Sequence, residues 1–222
     1  MKAMFVNGSP RKKHNTARLL EAAMAGAAEA GAETELVHLF DYEFTGCRSC
    51  FACKLKNSKT EGICAIRDTL RPILERAVDS DVLVLGSPVY FSYPTGQLRS
   101  FVERLLFPNM AYLVDAEGKK VDVARRHIRT GVIYTMNCPE ELAVKIGYPP
   151  LLQGTADSLE TVFGYSEVLC AYDTYQFDNY DRYEANLFSE EHKRAWREQQ
   201  FPKDLEAARA MGRRLTEMAA AL

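Results

Sequence analysis

The sequence predicts a doubly wound α/β fold: five parallel strands in one sheet, with helices on both faces. Three observations carry that prediction. Short apolar runs alternate along the chain with stretches of helical periodicity. The runs lack the polar alternation of a half-exposed strand, so they are expected to be buried on both faces, as in a parallel sheet sandwiched by helices. The chain has 222 residues, enough for one full hydrophobic core, so residues 1–222 are expected to form a single domain.

The elements follow in order. "KAMFVNGS" is the first strand, and the Ala- and Leu-rich stretch from Thr16 to Ala30 is a helix. "TELVHLF" (34–40) is the second strand; Leu70 to Val78 is helical; "DVLVLGS" (81–87) is an almost uninterrupted apolar strand. Gly96 to Phe107 carries Leu98, Phe101, Val102, Leu105 and Leu106 at helical spacing. "IRTGVIYTM" (128–136) is the fourth strand, Thr155 to Phe163 a helix and "SEVLCAY" (166–172) the last strand. A closing helix from Pro202 to about Met218 places Leu205, Ala208, Met211 and Leu215 on one stripe. Five strands with crossover helices permit the flavodoxin-like order 2-1-3-4-5. In that order a crevice opens at the carboxyl ends of the first and third strands, where the winding reverses.

Two stretches exceed this minimal plan. Residues 108–127 contain "DAEGKK", a hairpin turn by composition. Residues 173–201 hold Tyr175, Tyr180, Tyr183, Phe177, Phe188, Phe201 and the only tryptophan, Trp196. They are expected to be a packed surface excursion, with a subunit contact or a cover over a ligand as the functional alternative.

Charge is nearly balanced, 28 Lys and Arg against 30 Asp and Glu, which offers nucleic acid no basic stripe. No apolar run approaches the ~18 to 20 residues of a membrane span. "MKAMFVNG" is too short an apolar stretch for a secretory signal. A cytoplasmic protein that binds neither nucleic acid nor membrane is expected.

Both crevice ends carry chemistry. After the first strand, "NGSPRKKHNT" offers Ser9, Asn15 and Thr16 as side-chain donors and Arg11, Lys12 and Lys13 as cations. It then enters a helix whose free N–H groups suit a phosphate. It is neither G-x-G-x-x-G nor a Walker loop. An ordinary helix start, capped by Asn15 or Thr16, would read the same way, and His14 alone signals only a solvated side chain. After the third strand, "GSPVYFSYPTG" sets Pro88, Val89, Tyr90, Phe91 and Tyr93 beside that site, as a flat, partly polar ring would require. A phosphate ester on a flat heterocycle points to FMN.

The segments "NGSPRKKHNTARLL", "GCRSCFAC", "SPVYFSYPTGQLRSFVER", "YTMNCPEE" and "DTYQFDNYDRYE" resemble the flavodoxin-like NAD(P)H-dependent FMN reductase family, including its iron–sulfur flavoproteins. The resemblance implies that Ser9, Arg11, Asn15 and Thr16 hold the FMN phosphate. It further implies that Pro88, Val89, Tyr90 and Phe91 line the isoalloxazine, and that Thr135, Met136 and Asn137 approach the ring's other edge. It implies NAD(P)H as electron donor and a homodimer or dimer of dimers. The small acceptor would be a quinone, a nitro or azo compound, or a flavin.

"GCRSCFACKLKNSKTEGIC" places Cys47, Cys50, Cys53 and Cys64 at C-x2-C-x2-C-x10-C. Four thiolates can in principle hold a [4Fe–4S] cluster. The last gap departs from the compact pattern of the iron–sulfur flavoproteins, and Lys54, Lys56 and Lys59 interrupt it. Reduced thiols without a metal are the favoured reading, and Cys170 fits a thiol within a strand. The flavin would carry the redox chemistry, so no catalytic acid or base is assigned. Ping-pong turnover over one open face is expected, with backbone N–H groups near residues 90 to 93 directed at flavin N5. Glu103 and Arg104 read as a solvated helical face.

Overall fold

The apolar run at the amino end forms β1 (Lys2–Asn7), with five of its six residues buried. The computed structural model describes residues 1–119, 121–122, 124 and 126–222; Lys120, Val123 and Arg125, all within the 108–127 insertion, lie outside the described residues. The chain continues through α1 (Asn15–Glu29), β2 (Glu33–His38), α2 (Arg71–Val78), β3 (Val82–Tyr90) and a two-residue strand, β4 (Tyr93–Pro94). Then come α3 (Gly96–Asn109), β5 (Ile128–Thr135), α4 (Glu140–Lys145), α5 (Tyr148–Phe163), β6 (Gly164–Ala171), α6 (Glu190–Gln199) and α7 (Phe201–Ala220).

The parallel strands lie in the order β2-β1-β3-β5-β6, and β4 folds back antiparallel on β3. Counting the five parallel strands alone, this is the expected 2-1-3-4-5. Successive strand side chains point to opposite faces. Phe5, Val82, Val84 and Ile133 pack under α1 and α7 with Leu19, Leu20, Met211 and Leu215. Met4, Val6, Leu83, Leu85 and Val132 pack on the other face against Ile73, Phe101, Leu105 and Leu159. Helices α1 and α7 meet backbone to backbone. A Cβ on Gly26 would lie 1.9 Å from Arg209 O, and one on Gly212 would lie 1.9 Å from Ala23 O.

Several boundaries differ from expectation. Strands β2 and β6 are sheet edges, so their faces are only partly buried. Strand β3 runs on to Tyr90 because its last residues pair with β4. Helix α5 begins at Tyr148, with Pro at the start, where a missing N–H costs nothing. Helix α6, within the aromatic excursion, has no apolar stripe to announce it. Its buried residue is Lys193, and its cap is Ser189, whose hydroxyl accepts the His192 N–H at 3.3 Å. The turn at residues 115–119 is present: Asp115 N donates to Lys119 O at 2.8 Å, and Gly118 sits at φ +80°.

Candidate functional site

Strands β1, β3 and β5 end at the same edge of the sheet, and hydrogen bonds between their loops fix where each begins. Gly8 N donates to Gly86 O at 2.8 Å, and the Thr95 hydroxyl donates to Gly8 O at 2.7 Å. Thr95 also caps α3 by accepting the Leu98 N–H. Only glycine fits at position 8, since a Cβ there would lie 2.8 Å from that of Leu98. The buried hydroxyls of Thr16, at the start of α1, and Thr135, at the end of β5, bond at 2.8 Å. Three distant segments therefore share one junction.

Around that junction lies a cleft. Ser9, Arg11, Asn15 and Thr16 form one wall; Pro88, Val89 and Tyr90 form the second; Thr135, Met136 and Asn137 form the third. The structure thus brings ten of the eleven sequence-selected residues to one place. Phe91 stands apart. It is 96% exposed at the tip of the β3–β4 hairpin, where it and Ser92 take positive φ of 49° and 74°, and it does not line the cleft.

The fourth wall is the aromatic excursion, through Thr174 and Gln176. Its backbone carbonyls hold the first loop in place. Arg11 Nη1 donates to Gln176 O at 2.6 Å, and Asn15 Nδ2 donates to Tyr175 O at 2.9 Å. Arg197, on α6, donates to Asn15 Oδ1 at 3.1 Å. Sequence reading missed Thr174 and Gln176 as lining residues; their position just after the last strand's carboxyl end was the available signal. His14 lines the cleft as well. Burial, and then the charge of Arg11, press its pKa below the usual imidazole value.

Three features equip the cleft for an anionic, ring-bearing ligand. His14 holds the cap position of α1 but makes no side-chain capping bond, which leaves the helix's amino end open to an anion. Arg11 adds a guanidinium. Asn137 Oδ1 is buried and has no hydrogen-bond partner, although its residue lines the cleft. The residues present fit FMN. Lys12, by contrast, is paired with Asp41 at 2.5 Å.

The cysteine stretch builds a separate, small cavity. Cys47, Cys50, Cys53 and Cys64 all line it, together with Arg48, Glu103 and Arg104. Arg104 is not on a solvated face: it is 1% exposed, and its fork bonds Asp68 Oδ1 at 2.9 Å and Oδ2 at 2.5 Å. Burial works against both charges, yet their hydrogen bonds outweigh it; the Asp68 pKa lies below, and that of Arg104 above, its usual value. Glu103 Oε2 accepts the Cys47 N–H at 3.2 Å. Ser49, Phe51, Asn57 and Glu61 all have positive φ. Among the described residues, no three His, Cys, Asp or Glu side chains converge so as to hold a metal ion. The four thiols share this one cavity.

A third opening, an apolar groove of about 630 Å³ between α3 and α5, is lined by Tyr93, Val102, Leu106, Phe107, Met110 and Leu151 among others. Among the described residues no helix is long and apolar enough to cross a membrane.

A family model described as NADPH-dependent FMN reductase matches residues 1–121. An iron–sulfur flavoprotein of Archaeoglobus fulgidus is 36% identical over 104 residues, 47% of this chain and 48% of that protein. Another, from Methanocaldococcus jannaschii, is 39% identical over 104 residues, 47% and 51% of the respective chains. The match spans about half the length of these curated relatives. Among solved structures, an NAD(P)H:quinone oxidoreductase from Methanothermobacter marburgensis aligns with TM-score 0.69 over 96% of this chain and 98% of its own, at 18% identity. An azoreductase from Bacillus anthracis aligns with TM-score 0.66 over 96% and 99%, at 14% identity. Identities this low speak for a shared flavodoxin-like fold.

Proposed function

Because the chain belongs to the NADPH-dependent FMN reductase family, we propose that it is an FMN-dependent oxidoreductase. It draws electrons from NADH or NADPH and delivers them to a small acceptor such as a quinone, a nitro or azo compound, or a flavin. Residues 1–222 act as one FMN-binding unit. The observation that carries this reading is the meeting of the three loops in one cleft, beside an uncapped helix amino end.

In this reading Ser9, Arg11, Asn15 and Thr16 bind the phosphate, aided by the first N–H groups of α1. Pro88, Val89 and Tyr90 flank the ring and exclude water from one side of it. Thr135, Met136 and Asn137 meet its far edge. FMN, when bound, supplies hydride acceptance and one- or two-electron release. The chain's own task is to hold and orient, and no side-chain acid or base is needed. Phe91, at the hairpin tip, is free to contact a substrate or a second copy of the chain. The α3–α5 groove suits a homodimer contact.

The test is direct. The protein is expected to purify with flavin absorbance or to gain it on adding FMN, to bleach with NADPH or NADH, and to turn over a soluble quinone. A colourless protein that takes up no FMN sinks the proposal. Bleaching without turnover would instead mark an electron carrier.

A second reading adds a [4Fe–4S] centre on Cys47, Cys50, Cys53 and Cys64. It is supported by the shared cavity and by the printed names of the curated relatives. The ten-residue gap before Cys64 and the intervening Lys54, Lys56 and Lys59 speak against it. Iron and sulfide analysis of anaerobically purified protein decides between them: about four of each per chain supports the cluster, and none removes it.

A further inference from the structure

The aromatic excursion ends in helix α6, and one arginine of that helix has a partner unlike those of its neighbours. The other arginines of α6 and α7 pair with carboxylates: Arg194 with Glu190, Arg209 and Arg213 with Glu29, and Arg214 with Glu167. Arg197 is in no ion pair among the described residues. Its Nη1 donates instead to the neutral amide oxygen of Asn15 at 3.1 Å. Asn15 is 182 positions away, is 5% exposed, and lines the cleft at the first turn of α1.

Two rings hold this guanidinium, Phe201 at 5.3 Å and Tyr175 at 5.7 Å from centre to carbon, within cation–π range. Arg18 lies over the same Phe201 ring at 4.9 Å. Burial, and then the charge of Arg18, work against the Arg197 charge, so the position is unfavourable for the fold taken alone. The excursion's own contacts set the Tyr175 ring: its hydroxyl donates to Glu190 Oε1 at 3.0 Å, and it packs 4.9 Å from the ring of Tyr180. Tyr180 in turn accepts the Gln176 N–H at 3.1 Å. One segment thus fixes Arg197 together with the Tyr175 and Gln176 carbonyls that hold Asn15 and Arg11.

An amide side chain can present its oxygen or its NH2. A guanidinium has only donors, so the Asn15 oxygen turns to Arg197, and the NH2 turns to Tyr175 O, which takes one of its two hydrogens. Without Arg197, a single carbonyl opposes the flip that would offer oxygen, which repels a phosphate. We infer that Arg197 is the positioning residue of the phosphate wall: it acts through Asn15, fixing the amide so that nitrogen rather than oxygen meets the anion. This rests on FMN occupying the cleft with its phosphate at Asn15. It makes the aromatic excursion a determinant of selectivity for phosphorylated over unphosphorylated flavin.

The experiment measures dissociation constants of the apoprotein for FMN and riboflavin by quenching of flavin fluorescence. The native chain is expected to prefer FMN by about 100-fold or more. Arg197→Met keeps an apolar stem against the two rings but removes the donor. It should weaken FMN binding by about 10-fold and riboflavin binding by less than about 2-fold. Arg197→Lys, which can donate to the same oxygen, should recover FMN affinity to within about 3-fold of native. In an Asn15→Ala background, Arg197→Met should change FMN affinity by less than about 2-fold, because residues acting as a unit are not additive. An unchanged FMN constant in Arg197→Met, or equal losses for both flavins, overturns the positioning role. A full loss of about 10-fold in the Asn15→Ala background means that Arg197 acts on the phosphate directly, and overturns the route through Asn15. A native chain that binds both flavins equally removes the phosphate wall proposed above, and one that binds neither removes the cofactor. Either is a failure of that reading, and the inference falls with it.

Discussion

The cleft and the cysteine cavity are both built from loops at strand ends, but they reach order by opposite routes. In the cleft, polar atoms from four segments satisfy one another: Thr16 with Thr135, Asn15 with Tyr175 and Arg197, Arg11 with Gln176. What remains unpaired there is Asn137 Oδ1, which is buried, and the open amino end of α1. The cysteine stretch instead stores strain, with four non-glycine residues at positive φ between Ser49 and Glu61. It is tied to the rest of the chain by the Arg104–Asp68 ion pair and by Glu103 accepting the Cys47 N–H. Lys54 donates to the Pro108 and Met110 carbonyls, and Asn109 Nδ2 donates to Gly62 O. The first region is ordered by its own polar contacts. The second is a strained loop tied down by its neighbours, with its four thiols around one cavity.

The contrast is broken most severely at the Arg104–Asp68 pair. Arg104→Met strands Asp68 and removes donors to Thr45 O and Ile66 O. It should cost about 3–5 kcal/mol in urea unfolding; a loss under ~1 kcal/mol would show that the loop needs no such anchor. The same pair has an acid signature. The Asp68 pKa is depressed in the folded protein, so its contribution is present above the unfolded value of about 3.9 and is lost as pH falls below it. Stability of the native chain should therefore decline below about pH 4. The Arg104→Met variant should lack this part of the decline; parallel curves would contradict the assignment.

The cleft should respond more gently. Thr16→Val leaves the buried Thr135 hydroxyl unpaired and should cost about 1–3 kcal/mol, whereas the pair Thr16→Val with Thr135→Val should regain most of it. Additive losses would show that the two hydroxyls are not partners in solution. Tyr90→Ala is expected to weaken FMN binding by about 2- to 10-fold through lost ring contact. The smallest effect is at Phe91, where substitution by Ala should change FMN affinity by less than about 2-fold, since the ring is exposed and off the cleft. An effect as large as that of Tyr90→Ala would mean that the hairpin tip folds over the ligand.

Much of this was legible in the chain, and the exceptions share a cause. The apolar runs located the five strands, and the two Gly-Ser-Pro loops located two cleft walls, because apolar burial and chain breaks leave local marks. Phe91 was placed with its neighbours because a two-residue hairpin tip reads like any aromatic loop. Arg104 was taken for a solvated residue because its partner, Asp68, is 36 positions away. Helix α6 escaped notice because it buries a lysine where the pattern demands an apolar side chain.

By itself, then, the sequence determined the layered sheet, its strand order and the chemical character of the two opening loops. Each follows from which stretches prefer to leave water and which cannot continue a strand. Only the tertiary structure decided that Thr174 and Gln176 wall the cleft, that Lys193 bonds the Asn137 carbonyl, and that the four thiols share a cavity. Those outcomes depend on which distant polar group each donor finds, and a hydrogen-bond partner, unlike an apolar face, has no period along the chain.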